Sequence, residues 1–276
     1  MEASAGGARL LVIYLAAGLG AGMLSGLLGV GGGIALVPLL VIALKWQQKP
    51  AQATALVLVS MAALAGVVGY AAAGDVAWLP AAFILAGGLT GAWLGAILVQ
   101  RIHAHWLQVA FGVVLIAAAL RLVWPSSGGT VPLESSPALT PMLAVVYALS
   151  GIIMGLLSAL FGIGGGIVLV PFLVTLLDFD QRLAAGTSLA VMIPIALLGA
   201  VRLTRPGLTQ WSVGVRIGIG GIVGGVIGSQ LALRLPINVL AWGFAVLLLV
   251  VAARMMWIGV RTHRMSAESP IEGTLT

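Results

Sequence analysis

Hydrophobic residues in this chain come in long uninterrupted runs, separated by short polar or glycine- and proline-bearing turns. Segments at 10–44, 51–73, 77–99 and 105–123 are followed by a matching set at 143–177, 184–203, 210–232 and 238–259. Apolar runs of about 20 residues suit helices crossing a hydrocarbon core of roughly 30 Å. The period-2 alternation that marks a membrane β-barrel is absent. The pattern predicts an all-α polytopic membrane protein. The first segment of each set is unusual, because about 34 residues of straight helix would span roughly 50 Å, too long for one crossing. Each also carries three consecutive glycines and then a proline, so a break is expected there.

The two sets are copies of one unit. Gly22 to Pro38 aligns with Gly155 to Pro171 at an offset of 133 (155 − 22), both reading as a glycine-rich motif that ends in Val-Pro. The same offset pairs Tyr14 with Tyr147, Gln48 with Gln181, Thr54 with Thr187, Trp78 with Trp211 and Arg101 with Arg234. It continues to Phe111 with Phe244, Arg121 with Arg254 and Trp124 with Trp257. Chance matches among aliphatic residues are common; shared Trp, Arg and Pro positions are not. The organisation is a first membrane repeat at 1–124, an extracytoplasmic linker at 125–140 rich in Ser, Gly and Pro, a second repeat at 141–260, and a polar cytoplasmic tail at 261–276.

The distribution of basic residues bears on how each repeat threads the bilayer. Arg216 lies within a helix and is set aside. If each opening segment crosses once, Arg9, Arg121, Arg202, Arg205, Arg254, Arg261 and Arg264 share one side, seven against five. If each turns back as a hairpin, Arg9, Lys45, Lys49, Arg101, Arg202, Arg205, Arg254, Arg261 and Arg264 do so, nine against Arg121, Arg182 and Arg234. The hairpin gives the stronger bias. It also gives each repeat odd parity, so the second is inverted relative to the first and both termini are cytoplasmic. The fold expected is two homologous four-segment repeats, inverted, each opening with a glycine-broken helix that is re-entrant or discontinuous.

Composition sharpens this reading and excludes others. The chain of 276 residues is 61% hydrophobic and 7% charged, with a mean hydropathy of +1.18; soluble domains carry about 25% charged residues. The net charge of +6 is spread singly over segment ends, which argues for the lipid bilayer as partner and against nucleic acid. There is no cysteine, hence no disulfide, thiolate metal site or cysteine nucleophile. His103 and His105 form a His-x-His pair with no acidic or further histidine partner nearby and read as a solvated loop, so no metal is expected. No Asp or Glu falls inside a predicted span, no nucleophile–base set is present, and no P-loop is found. An enzyme is not expected, and no cofactor.

The remaining chemistry lies at the breaks. Gly31, Gly32 and Gly33 precede a short arm starting near Ile34, and Gly164, Gly165 and Gly166 precede one near Ile167. Free N–H groups and the positive end of a helix favour an anion there. Two inverted copies would point two such ends at a shared centre between repeats, the arrangement of many secondary transporters. Ser25, Ser158, Thr54, Thr187 and Ser188 could add hydroxyl donors, making these residues the expected substrate-binding set. By contrast, the four-residue ladders Gly18/Gly22/Gly26, Gly87/Gly91/Gly95 and Gly220/Gly224/Gly228 are assigned to helix packing. Arg216 is either a snorkelling side chain or a charge at the mouth of an anion path. Arg101, Arg121, Arg234 and Arg254 read as interfacial anchors.

The Gly-Leu-Leu-Gly-x-Gly-Gly-Gly-x-x-x-Val-Pro pattern, followed by Thr or Thr-Ser on the next helix, resembles the sulfite exporter TauE/SafE family over residues 10–260 or so. The second copy reads Ala-Leu-Phe-Gly at its start, and Ala55 stands where the second repeat has Ser188. The resemblance implies a permease of the cell (inner or plasma) membrane that moves small sulfur-containing anions such as sulfite or organosulfonates, usually outward. The expected function is export by alternating access at a site between the repeats. The alternative is an anion channel whose pore is lined by the two breaks.

Overall fold

The computed structural model describes residues 2–101, 116 and 141–236, and most positions of 238–253. The linker, the tail, Arg121 and Arg254, His103 and His105, and the expected segment at 105–123 apart from residue 116 lie outside the described residues. Among those described there is no strand. The helices are α1 (Glu2–Leu28), α2 (Gly33–Ile42), α3 (Gln48–Ala72), α4 (Trp78–Arg101), α5 (Pro141–Phe161), α6 (Gly166–Leu176), α7 (Gln181–Thr204) and α8 (Trp211–Arg234). The described positions between 238 and 253 are also helical.

Six of these helices, α1, α3, α4, α5, α7 and α8, are long and apolar enough to cross a membrane. Their outward faces carry Val12, Leu64, Val68, Leu94, Val145, Ile153, Val201 and Ile219, all well exposed. Water would penalise such a surface and lipid tails do not.

Local chemistry sets the boundaries. The breaks fall at the glycines, while Pro38 and Pro171 stay inside α2 and α6. Pro50 is tolerated near the start of α3, where backbone N–H groups have no intrahelical partner. Asp180 begins α7 three residues ahead of the expected start: its Oδ1 accepts from the amides of Arg182 (2.8 Å) and Leu183 (2.9 Å). Helix α1 starts at Glu2, eight residues before the apolar run.

The glycine ladders are the packing surfaces expected of them. Gly18, Gly22 and Gly26 lie against Ile217, Gly221 and Gly225, and Gly220, Gly224 and Gly228 lie against Leu15, Leu19 and Met23. The numbers rise together, so α1 and α8 run parallel. Gly87, Gly91 and Gly95 meet Ala148, Ile152 and Leu156 in the same sense, so α4 and α5 are parallel. In both pairs a Cβ would collide with a facing backbone carbonyl, and only glycine permits the approach. Helix α3 runs parallel to α8 (Gly214 on Val57, Gly218 on Met61), and α7 parallel to α4 (Gly88 on Ile195, Arg202 over the Trp93 ring at 5.6 Å). Helices α3 and α7 are antiparallel, with Leu56 against Gly199 and Leu189 against Gly66. The first helix of each repeat thus packs on the third long helix of the other, α1 on α8 and α5 on α4, around a central α3–α7 pair.

Candidate functional site

The breaks at 29–32 and 162–165 meet in the interior. Gly33 lies against the carbonyl of Gly162 and 2.7 Å, measured from where its Cβ would be, from Ile163 Cα; the equivalent point on Gly166 is 2.5 Å from the Gly29 carbonyl. The N-termini of α2 and α6 therefore converge. Every residue from Gly29 to Gly33 and from Gly162 to Gly166 is buried, as are Ile34 and Ile167. The chain bends here through positive φ, at Gly31 (76°) and its counterpart Gly164 (86°), a region closed to most side chains. The match is incomplete at the next position, where Gly165 is left-handed (78°) and Gly32 is right-handed (−63°).

These bends leave backbone donors free. The first intrahelical bonds of the short arms are made by Ala35 and Leu36 to Gly32, and by Val168 and Leu169 to Gly165. The amides of Gly33, Ile34, Gly166 and Ile167 find no acceptor among the described residues. A buried amide left without a partner costs about 1–3 kcal/mol.

The expected hydroxyls divide into two groups. Ser25 and Ser158, an equivalent pair at 0% and 1% exposure, are buried with no hydrogen-bond partner. Ser188 Oγ stands 2.7 Å from the Cβ position of Gly166, beside the second break, and donates weakly to Met192 Sδ at 3.5 Å. Thr54 and Thr187 each accept a bond from outside the breaks. Thr54 Oγ1 accepts from the Gln210 amide (3.0 Å), just before α8, and Thr187 Oγ1 accepts from the Ala77 amide (2.9 Å), just before α4. They hold the start of α8 and α4, each a helix of the opposite repeat. Arg216, Arg101 and Arg234 are exposed and lie outside the buried cluster around the breaks.

Three neighbours of the breaks carried no signal in the sequence. Val59 and Met192 touch both central glycines, Gly31 and Gly164. Gln52 packs its backbone against Gly162 and leaves its buried Oε1 unpaired. The two aliphatic side chains were hidden in apolar runs, although the repeat offset does pair them with each other.

The only acid shifted among those described lies at one end of the bundle. The Asp75 carboxyl, half-buried in the α3–α4 turn, is pushed up from its ordinary value by burial and then by Asp180, with Arg182 opposing.

Comparison with known proteins completes the assignment. The family described as "Sulfite exporter TauE/SafE" matches residues 3–122 and 146–275. The chain is 30% identical over 250 residues to a "Probable membrane transporter protein" of Xylella fastidiosa, covering 90% of this chain and 95% of that one. It is 24% identical to the "Probable membrane transporter protein YunE" of Bacillus subtilis, over 90% of this chain and 98% of the relative. A "Probable membrane transporter protein" of Haemophilus influenzae is 25% identical, over 89% and 97%. No solved structure matches. With six candidate spans among its described residues, the chain is a multi-pass membrane transporter, not an enzyme, and it belongs to the sulfite exporter TauE/SafE family.

Proposed function

We propose that this transporter exports small sulfur-containing anions, such as sulfite or organosulfonates, by alternating access at a site between two inverted repeats. The observation that carries the reading is the convergence of two helix N-termini with unpartnered amides in a buried interior, beside the unpartnered hydroxyls of Ser25 and Ser158. An oxyanion satisfies such donors and is favoured by both helix dipoles. Gly31–Ile34 with Ser25, and Gly164–Ile167 with Ser158 and Ser188, form the binding set. Thr54 and Thr187 belong to its supports.

Helix directions support the inverted, hairpin-opened topology. Helices α1 and α3 are both parallel to α8, so the chain between them returns, and α2 starts beside Ala21 of α1. Helices α5 and α7 both run parallel to α4, and α6 starts beside Met154 of α5. Since α3 and α7 are antiparallel, the two repeats run in opposite senses. These directions gather Arg9, Lys45, Lys49, Arg101, Arg202 and Arg205 at one end, with Asp75, Asp178, Asp180, Arg182 and Arg234 at the other. The basic end is the cytoplasmic one by the positive-inside rule, and the N-terminus lies there, in the inner or plasma membrane. Tags placed at 126–130 and at the C-terminus should report opposite sides; labelling from the same side would sink the topology.

Burial of both breaks favours a carrier over a channel, because an open pore would expose them. Purified protein should be stabilised by its anion as the concentration passes the dissociation constant. Thermal shifts across sulfite, sulfate, thiosulfate, sulfoacetate, taurine and carboxylates identify the substrate, and silence from every sulfur anion would overturn it. Trans-stimulation in proteoliposomes distinguishes the carrier; ohmic current without it would establish the channel.

A further inference from the structure

Two side chains stand between the central glycines of the breaks. A Cβ on Gly31 would meet Met192 Cε and Val59 Cγ1, and a Cβ on Gly164 would meet the same two atoms. Val59 and Met192 are related by the repeat offset of 133 (192 − 59). Each stands near the middle of its long helix, α3 or α7, and each is fully buried, at 0% exposure. A ligand seated against both central glycines would take volume these two side chains now hold.

The pair differs in how it can yield. Valine is β-branched and keeps essentially one rotamer on a helix. Methionine is unbranched, with three rotatable bonds, and fills irregular space without being fixed there. Met192 is also lightly held, its sulfur accepting only the long contact from Ser188, and a thioether is a weak acceptor. Its Sδ lies 2.8 Å from the Cβ position of Gly166, so a side chain at 166 would deny it that space. One rotamer change at Met192 would withdraw its methyl from both central glycines together.

We propose that Met192 is a movable plug, and Val59 a fixed wall, of a size filter that sets the largest anion seated between the breaks. The inference rests on the anion site proposed above. It predicts that the size limit is set by these two side chains while the amides supply the affinity for charge.

The test uses full-length protein in liposomes and compares uptake of sulfite, methanesulfonate, ethanesulfonate and sulfoacetate. Met192→Ala should raise transport of the larger sulfonates relative to sulfite by about tenfold, the scale on which a pocket discriminates by a methylene or two. Val59→Ile should lower that ratio, and Met192→Leu, of similar volume, should slow turnover without moving the size limit. Ratios unchanged in all three variants would overturn the filter. A second readout does not depend on knowing the anion. The chain has no cysteine, so Met192→Cys carries a single thiol. Uncharged methanethiosulfonates should label it when they are small and fail when they are bulky. Labelling independent of reagent size, or absent with every reagent, would overturn the plug even if an anion binds. Size-dependent labelling with no response to any sulfur anion would overturn the anion site and leave the plug standing.

Discussion

Valine at position 187 would keep the outline of the threonine side chain and remove its oxygen. The Ala77 amide, which now donates to Thr187 Oγ1 at 2.9 Å from 110 residues away, would lose its acceptor at the point where α4 begins. Removing an acceptor from a buried donor costs about 1–3 kcal/mol, and this bond is only part-buried, so about 1–2 kcal/mol is expected. At roughly this chain length each kcal/mol lowers Tm by about 2–4 °C, giving a fall of about 2–8 °C. Thr54→Val should act the same way through the Gln210 amide at 3.0 Å. The two bonds lie toward opposite ends of the antiparallel α3–α7 pair, so the double variant should show nearly the sum. Serine at either position keeps the acceptor and should recover most of the loss. The assay is intrinsic tryptophan fluorescence during heating of detergent-solubilised protein, with and without saturating anion. The expected pattern is a lower Tm with the anion-induced increment intact. A Tm unchanged by valine, together with loss of the anion response, would refute this placement of the threonines and return them to the binding set.

Two further outcomes follow from the packing and from the charged end. Gly22→Ala drives a methyl group into the Gly221 carbonyl and should cost about 1–3 kcal/mol by overpacking, whereas Gly20→Ala, with nothing within 4 Å, should gain about 0.5–1 kcal/mol from helix propensity; equal Tm values for the two variants would contradict the α1–α8 interface. Because the Asp75 carboxyl is raised in the folded protein, its contribution is favourable while protonated and is lost as pH rises through its folded value, a window that opens near the ordinary 3.8 and extends upward. Asp75→Asn should flatten the decline of Tm with pH over that window, and an unaltered profile would show that the group is not perturbed.

How much of this could be read in advance depends on what each residue is used for. Lipid leaves unpaired backbone groups no partner, so long apolar runs without the alternation of a barrel strand read as helices, and the described spans were legible. The breaks were legible because three glycines in a row serve neither helix propensity nor ladder packing. The ladders were legible because four-residue spacing places small residues on one face. Helix starts were less so: Asp180 is an N-cap signal that the apolar pattern passes over. The threonines show the deeper limit. A hydroxyl on the helix after a binding motif looks like a ligand donor, and nothing in the sequence tells that Thr54 and Thr187 also accept from amides 156 and 110 residues distant, a pairing only the crossing of the two repeats creates. Val59 and Met192 were invisible for the opposite reason, being apolar residues in apolar runs whose importance is positional.

The duplication also explains where the two halves have been allowed to differ. The Thr–amide supports and the positive φ at Gly31 and Gly164 are kept in both repeats. The halves differ at many other positions, three of them at or near the meeting point: Ala55 faces Ser188 in the alignment, Val59 faces Met192, and Gly32 is right-handed where Gly165 is left-handed. Two identical inverted halves would make the inward and outward arrangements equal in energy, since exchanging the halves converts one into the other. In the alternating-access reading, then, these three departures are the ones placed at the site to bias the equilibrium. Small differences suffice, because about 1.4 kcal/mol shifts a two-state population tenfold. Restoring symmetry with Val59→Met and Ala55→Ser together should therefore move the accessibility of a cytoplasmic-side cysteine toward that of its counterpart in the other repeat. If the two remain as unequal as before, the bias resides elsewhere in the fold.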